Sequence, residues 1–215
     1  MSTSLLPGAW QVPQKFRDRL GDSVGRQRIM LEEGHLLVIL HAPPRTDQDE
    51  REGRFFWRDP AGNWMPKGLR HGEHPLQQLL EEYDAALDSL DQRAEQADGA
   101  DDYFELLKDL NPLVRSVNNL YGTLQKAREA APGDRKLLVM RDAAYELSRR
   151  AELLYADTRH ALDFHIAKRA ELQAASSERM AVASLSVGRR LKNSSEIDHI
   201  RPGSSPDRSE SRHRR

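Results

Sequence analysis

The 215-residue sequence contains no cysteine. Disulfides, thiolate metal sites and cysteine nucleophiles are therefore excluded. Neither sign of charge is in excess, because 33 Lys and Arg face 34 Asp and Glu for a formal net charge of −1. The molecule as a whole has no electrostatic reason to seek nucleic acid or an anionic membrane. Long apolar runs are also missing. The longest aliphatic stretch, Leu36 to Leu40, falls far short of the roughly 20 residues a membrane-crossing helix needs, so no membrane span is expected in this chain. The N-terminal MSTSLLPGAWQVP lacks the basic region and apolar core of a signal peptide. No Gly-rich phosphate loop, G-x-S-x-G elbow or dinucleotide fingerprint occurs. No catalytic constellation remains, and the protein is read as a non-enzyme.

What is present is charge and helical periodicity. A content of 31% charged and 38% hydrophobic residues suits a protein with much surface for its core. The length allows one domain, or a small domain plus an extended element.

Residues 1–74 read as a small α+β unit. EGHLLVILHAPP is a buried strand closed by two prolines, followed by the charged loop RTDQDEREG. RFFWRDPAGNWMP reads as two short strands joined by a turn at Asp59, Pro60 and Gly62. QKFRDRLGDSVGRQRIM is expected to contribute one or two helical turns.

From Leu76 the pattern changes to heptads. Leu76, Leu80, Tyr83, Leu87, Leu90, Ala94 and Ala97 form a first stripe, which DGAD breaks. Tyr103, Leu106, Leu110, Leu113, Val117, Leu120, Leu124 and Ala127 form a second, with Asp102 and Glu105 at capping-box spacing. Pro112 lies inside this stripe, yet the heptad phase passes through it, which favours one kinked helix over two. After PGD, Asp134 is a candidate N-cap for a third stripe: Leu137, Met140, Ala144, Leu147, Ala151 and Leu154.

Residues 75–184 are thus read as an antiparallel three-helix bundle. Its third helix is very long and projecting, about 50 residues or roughly 75 Å. Continuing the third stripe gives Thr158, Ala161, His165, Lys168, Leu172, Ala175 and Arg179, so the seam decays where partners should run out. Residues 185–215 read as a disordered basic tail. From Gly188 it carries eight basic against four acidic residues, a net of +4, with few apolar side chains to bury.

Three clusters could bear chemistry, and each has a plainer reading. Asp157, His160 and Asp163 lie three residues apart on the third helix, with His165 on a different face; an unused surface is favoured over a metal site. His71, Glu73 and His74 in RHGEH lack the HExxH spacing and read as a solvated linker. Phe55, Phe56, Trp57 and Trp64 interleave with Arg54 and Arg58. A base-stacking platform is conceivable, but the core of a small sheet with the arginines on its wet face is the stronger reading. Asn193-Ser194-Ser195 matches a glycosylation triplet that has no use without secretion. No catalytic or cofactor residue is assigned, and metal ligands are left open.

The stretch LVRSVNNLYGTLQKAREAAPGDRKLLVMRDAAYELSRRAELLYADTRHALDFHIAKRAELQAASSERMAVA resembles the cytoplasmic helical part of CorA-like divalent-cation transporters. In that family a small α/β unit precedes two helices and a very long stalk helix, and subunits assemble as a ring. The likeness covers roughly residues 30 to 184 and rests on architecture. The family's Gly-Met-Asn loop and its membrane helices do not occur in this sequence, so no pore or ion-selectivity residue carries over. The resemblance implies a non-catalytic cytoplasmic module, peripheral to the membrane through partners. Those partners would be further copies of the chain or membrane-bound CorA-like subunits. A divalent cation such as magnesium is implied by the resemblance alone. The competing reading is a free-standing coiled-coil scaffold or adaptor unrelated to ion transport.

Overall fold

Five apolar residues in a row can be buried on a strand only if both of its faces are covered. In the computed structural model HLLVILH forms such a strand, β2 (His35–His41), with Leu36 through His41 all buried. The structure describes residues 5–45, 51–66 and 74–197, with side chains to residue 187. β2 is flanked by β1 (Arg28–Glu32) and β3 (Gly53–Arg58), and β3 pairs with the short β4 (Trp64–Met65). The sheet is an antiparallel meander in the order β1-β2-β3-β4. Period-two alternation sends Leu36, Val38, Leu40 and Phe56 to one face, where they join the helices. Met30, Leu37, Ile39 and Trp57 go to the other face, covered by Leu6 and by Phe16 of the short helix α1 (Gln14–Arg19).

β1 corrects one expectation. One or two helical turns were expected from QKFRDRLGDSVGRQRIM, and Gln14–Arg19 supplies them, but the strand Arg28–Glu32 that its end begins was not expected. The reason is its hairpin. Glu33 and Gly34 between β1 and β2 have φ of 49° and 78°, the pair of positive values a type I′ turn requires.

Three helices follow: α2 (Gln77–Gln96), α3 (Ala100–Ala130) and α4 (Arg135–Ile197). The heptad stripes are their buried seams. Leu80, Tyr83, Leu87 and Leu90 of α2, every stripe position from Leu106 to Ala127 of α3, and all six of α4 from Leu137 to Leu154 are buried. Opposed pairs fix the directions. Tyr83 meets Ser116 and Arg93 meets Asp109, so α2 and α3 are antiparallel. Tyr103–His165, Asn118–Ser148 and Tyr121–Tyr145 run oppositely in the same way between α3 and α4. The fold is mainly helical, an antiparallel sheet unit followed by long helices. Pro112 lies inside α3, which is one continuous helix from Ala100 to Ala130.

The capping box expected at Asp102 and Glu105 is not formed. Gly99 is the N-cap, Asp102 Oδ2 instead accepts from the Asp98 N–H at 3.1 Å, and Glu105 pairs with Lys108. Starting the helix three residues earlier makes Asp102 a first-turn anion near the helix N-terminus rather than its cap.

Residues 1–165 form one compact unit, in which the helix-facing side of the sheet and the three helical seams share a single apolar core. The second unit is residues 166–215. In the first, Thr158 is still buried at 2% exposure, its hydroxyl donating to the Leu154 carbonyl at 2.6 Å, while Ala161 and His165 are half-buried. In the second, every side chain from 166 to 187 except Ala175 is exposed. The seam therefore decays at the positions where apolar residues give way to Lys168 and Arg179.

α4 outlasts its expected end near Ala183 and runs through Gly188 to Ile197. Disorder expected from Gly188 is thus not what residues 188–197 show; the rest of the tail lies outside the described residues. Extending an existing helix adds one hydrogen bond per residue fixed, and Arg189, Arg190, Leu191 and Lys192 are good helix formers. One glycine disfavours the helix by only about 1 kcal/mol against alanine.

Because the first unit carries its own core, a chain ended after His165 should keep cooperative unfolding with stability within about 1 kcal/mol of the full chain, as for changes remote from packed features. Ending at residue 150 removes the buried Ala151, Leu154 and Thr158 and should abolish the transition. Denaturant melts of both chains check this.

Candidate functional site

The polar groups that sequence reasoning treated separately converge at two places. The first is the α3–α4 junction. Asp134 caps α4, its Oδ1 accepting from the N–H groups of Lys136 at 3.1 Å and Leu137 at 3.3 Å. Its Oδ2 accepts from Arg58 Nε at 2.9 Å and Trp64 Nε1 at 3.0 Å. Burial alone would raise the Asp134 carboxyl, but the bonds from Trp64, Arg58 and Leu137 outweigh it and hold the group below its ordinary value. Both oxygens are fully engaged, so this carboxylate is neither a base nor a free metal ligand. It fastens the β3–β4 hairpin to the start of α4.

His74 lies beside this latch and corrects the reading of RHGEH as a solvated linker: the ring is 5% exposed. It meets Trp64 edge-on with centroids 4.9 Å apart, and its Nδ1 accepts from the Leu76 N–H at 3.2 Å. With Nδ1 accepting, the neutral ring carries its proton on Nε2, a buried atom without a partner. Burial pushes its pKa down to about 4, with Lys136 adding to the effect and Asp134 opposing it. His71 and Glu73 lie outside the described residues.

The second place is where the end of β2 meets α2 and α3. The Tyr83 hydroxyl donates to the His41 carbonyl at 3.1 Å and shares a 2.6 Å bond with Ser116 Oγ. Gln27 Nε2 donates to the Ser116 carbonyl at 2.8 Å. His41 Nε2 donates to the Gly25 carbonyl at 2.8 Å, which fixes the ring. Burial pushes the Tyr83 phenol up to about 12, so it stays neutral at working pH. None of these groups forms a nucleophile–base pair.

The aromatic cluster does not make a stacking platform. Phe56 is in the helix-facing core, Trp57 in the opposite one, where its Nε1 donates to His35 Nδ1 at 3.1 Å. The arginines are not on a wet face either. Arg54, Phe56 and Arg58 share one face by alternation, and the arginines reach Glu82 of α2 and Asp134. Asp157, His160 and Asp163 are all exposed. Among the described residues no three His, Asp or Glu side chains converge to hold a metal ion. Asn193 falls within α4.

No family model matches the chain, and no curated protein does. Among solved structures 13 chains match. One is the crystal structure of the ZntB cytoplasmic domain from Vibrio parahaemolyticus, with a TM-score of 0.59 and 14% identity. The match covers 75% of this chain and 80% of that one. At that identity the shared property is the fold.

The buried His74 makes a pH prediction. Its folded pKa lies below the ordinary 6.5, so between pH 6.5 and about 4 the unfolded chain takes up a proton that the folded chain refuses. Stability is complete above that window and is lost as pH falls through it. At about 1.4 kcal/mol per pK unit the loss is bounded at roughly 3–4 kcal/mol. Asp134 adds its own loss only at lower pH, below its ordinary 3.8. His74→Asn keeps an acceptor for the Leu76 N–H but does not titrate. Its denaturation midpoint should change less than that of the wild type between neutral pH and pH about 4.5. Asp134→Ala removes a cap and two charge-assisted bonds and should cost about 2–4 kcal/mol at neutral pH.

Proposed function

We propose that this chain is a non-catalytic cytoplasmic module resembling the soluble part of a CorA-like cation transporter, acting through self-association or regulation and not itself a transporter. The observation that carries the reading is the fold match to the ZntB cytoplasmic domain, which spans most of both chains. ZntB is a CorA-family transporter, and the sequence resemblance points independently to the same family. The order of elements agrees as well, a small sheet unit and then long helices of which the last is by far the longest.

Self-association draws support from the surface of α4. Leu153, Phe164, Ile166, Leu172, Met180, Val182, Leu185 and Val187 are between 53% and 75% exposed, more apolar surface than a solitary helix face should leave in water. The partners that fit are a second copy of the chain or a membrane-bound subunit of the same architecture. Among the described residues no helix is long and apolar enough to cross a membrane. A divalent cation such as magnesium enters by resemblance only, and no side chain is assigned to it.

Sedimentation velocity tests the reading. The weight-average mass should rise between low and high micromolar protein, and Ile166→Glu with Leu172→Glu, both outside the core, should shift the distribution to monomer without altering the circular dichroism spectrum. A strict monomer at high micromolar concentration would overturn it.

A further inference from the structure

At the first position of β2, the half-buried His35 ring stands on the same outer face of the sheet as Leu37 and Ile39. Its Nδ1 accepts from Trp57 Nε1 at 3.1 Å. The two ring planes are 16° apart with centroids at 5.7 Å, the geometry of an in-plane bond between rings lying side by side. With Nδ1 accepting, the neutral imidazole carries its proton on Nε2. Trp57 is 7% exposed and meets Trp10 at 6.0 Å. Trp10 belongs to the segment that covers this face, where Arg17 of α1 gathers the carbonyls of Leu6, Pro7 and Trp10.

On its other side His35 faces a carboxylate. Glu32 of β1 is its register partner across the Glu33–Gly34 turn. Directly opposed residues of an antiparallel pair hold their Cβ atoms about 4.5–5.5 Å apart on one face. The Glu32 carboxylate is engaged by Lys15 of α1. Other charged groups around the ring are committed elsewhere: Arg58 of β3 to Asp134, Asp59 to Asn63, and Arg128 of α3 to the Ala131 and Pro132 carbonyls. Glu33, in the turn, is exposed.

One proton therefore has two consequences. Histidine is the side chain suited to change charge between about pH 5 and 8. A proton taken from solvent onto Nδ1 turns the acceptor into a donor, so two N–H groups meet where one hydrogen bond was. Trp57 Nε1 is left unpaired at a nearly buried position, and the imidazolium finds its counter-charge in Glu32, in competition with Lys15. We propose that His35 is a proton-operated latch for the N-terminal segment. Neutral, it holds Trp57 against Trp10 and leaves Glu32 to Lys15. Protonated, it releases Trp57, draws Glu32 from Lys15 and loosens α1 from the sheet. The apolar contacts of Leu6 and Phe16 do not involve the ring, so the segment loosens without detaching.

Hydrogen exchange followed by NMR on the full chain tests the latch, with protection taken relative to the intrinsic rate at each pH. From about pH 8 to about pH 5 the Trp57 indole N–H should lose protection roughly tenfold, in step with the titration of His35 in the same spectra. The α1 amides should lose a few-fold, the scale of one exposed ion pair. Amides of β2, a strand buried on both faces, are the internal control for global unfolding. His35→Gln keeps an acceptor for Trp57 and takes up no proton, so its indole protection should be flat with pH; if that variant is unstable, His35→Asn should behave alike. Glu32→Gln removes the group for which Lys15 and the imidazolium compete. In that variant the α1 amides should stop responding to pH while the Trp57 indole still responds. Indole protection that stays constant while His35 titrates, a wild-type response in the His35 variants, α1 amides that still respond in Glu32→Gln, or a loss shared equally by the β2 amides would overturn the proposal.

Discussion

The structure depends on one constraint, the burial of β2 on both faces. Leu36 to Leu40 are at most 2% exposed, and a strand carrying five apolar residues in sequence has no side it can turn to water. One face must be covered by the helices and the other by chain that precedes the sheet, which is where Leu6 and Phe16 lie. The same requirement explains the arginines of β3. With no solvated face available, Arg54 and Arg58 sit at either side of Phe56 with their charges directed at carboxylates of the helical layer, Glu82 within α2 and Asp134 at the start of α4. Their stems cover apolar surface while their heads find carboxylates. Sheet and helices therefore share a core.

Within that core the buried polar atoms are mostly occupied by structural bonds. Asp134 accepts four hydrogen bonds, the Thr158 hydroxyl goes to its own helix, and Tyr83 joins β2 to α3. A carboxylate with every lone pair engaged and a phenol pushed to about 12 cannot exchange protons with a substrate near neutrality.

The helices were legible because their signal is periodic and long. Twenty residues of 3.5-residue spacing define a seam, and the persistence of phase through Pro112 was enough to read α3 as continuous. The Asp134 cap was legible from PGD. β1 was not, since RIMLE is five residues with charged ends, too short for alternation to stand out; its clearest trace is the Glu33–Gly34 turn. The end of α4 was misplaced because composition measures what a segment can bury, not whether an adjoining helix will propagate into it. The polar junctions were hidden for another reason. Gln27 and Ser116 lie 89 residues apart and Arg58 and Asp134 lie 76, so no local pattern connects them. The burial of His74 depends on Trp64 and on the arrival of α4, and only the assembled fold reveals it.

Among the described residues the fold leaves both apolar surface and buried polar atoms without partners. On α4 beyond Thr158 the apolar residues no longer have a seam to enter, and Ile166, Leu172, Met180 and Leu185 meet water. In the first unit Gln27 Oε1 and His74 Nε2 are buried without a hydrogen-bond partner. The first is relieved by excluding water against another apolar surface, which depends little on salt. The second is a local cost of desolvation inside the core, which another molecule does not reach. Only the first responds to protein concentration, so association can relieve the apolar surface of α4 while leaving the buried polar atoms as they are.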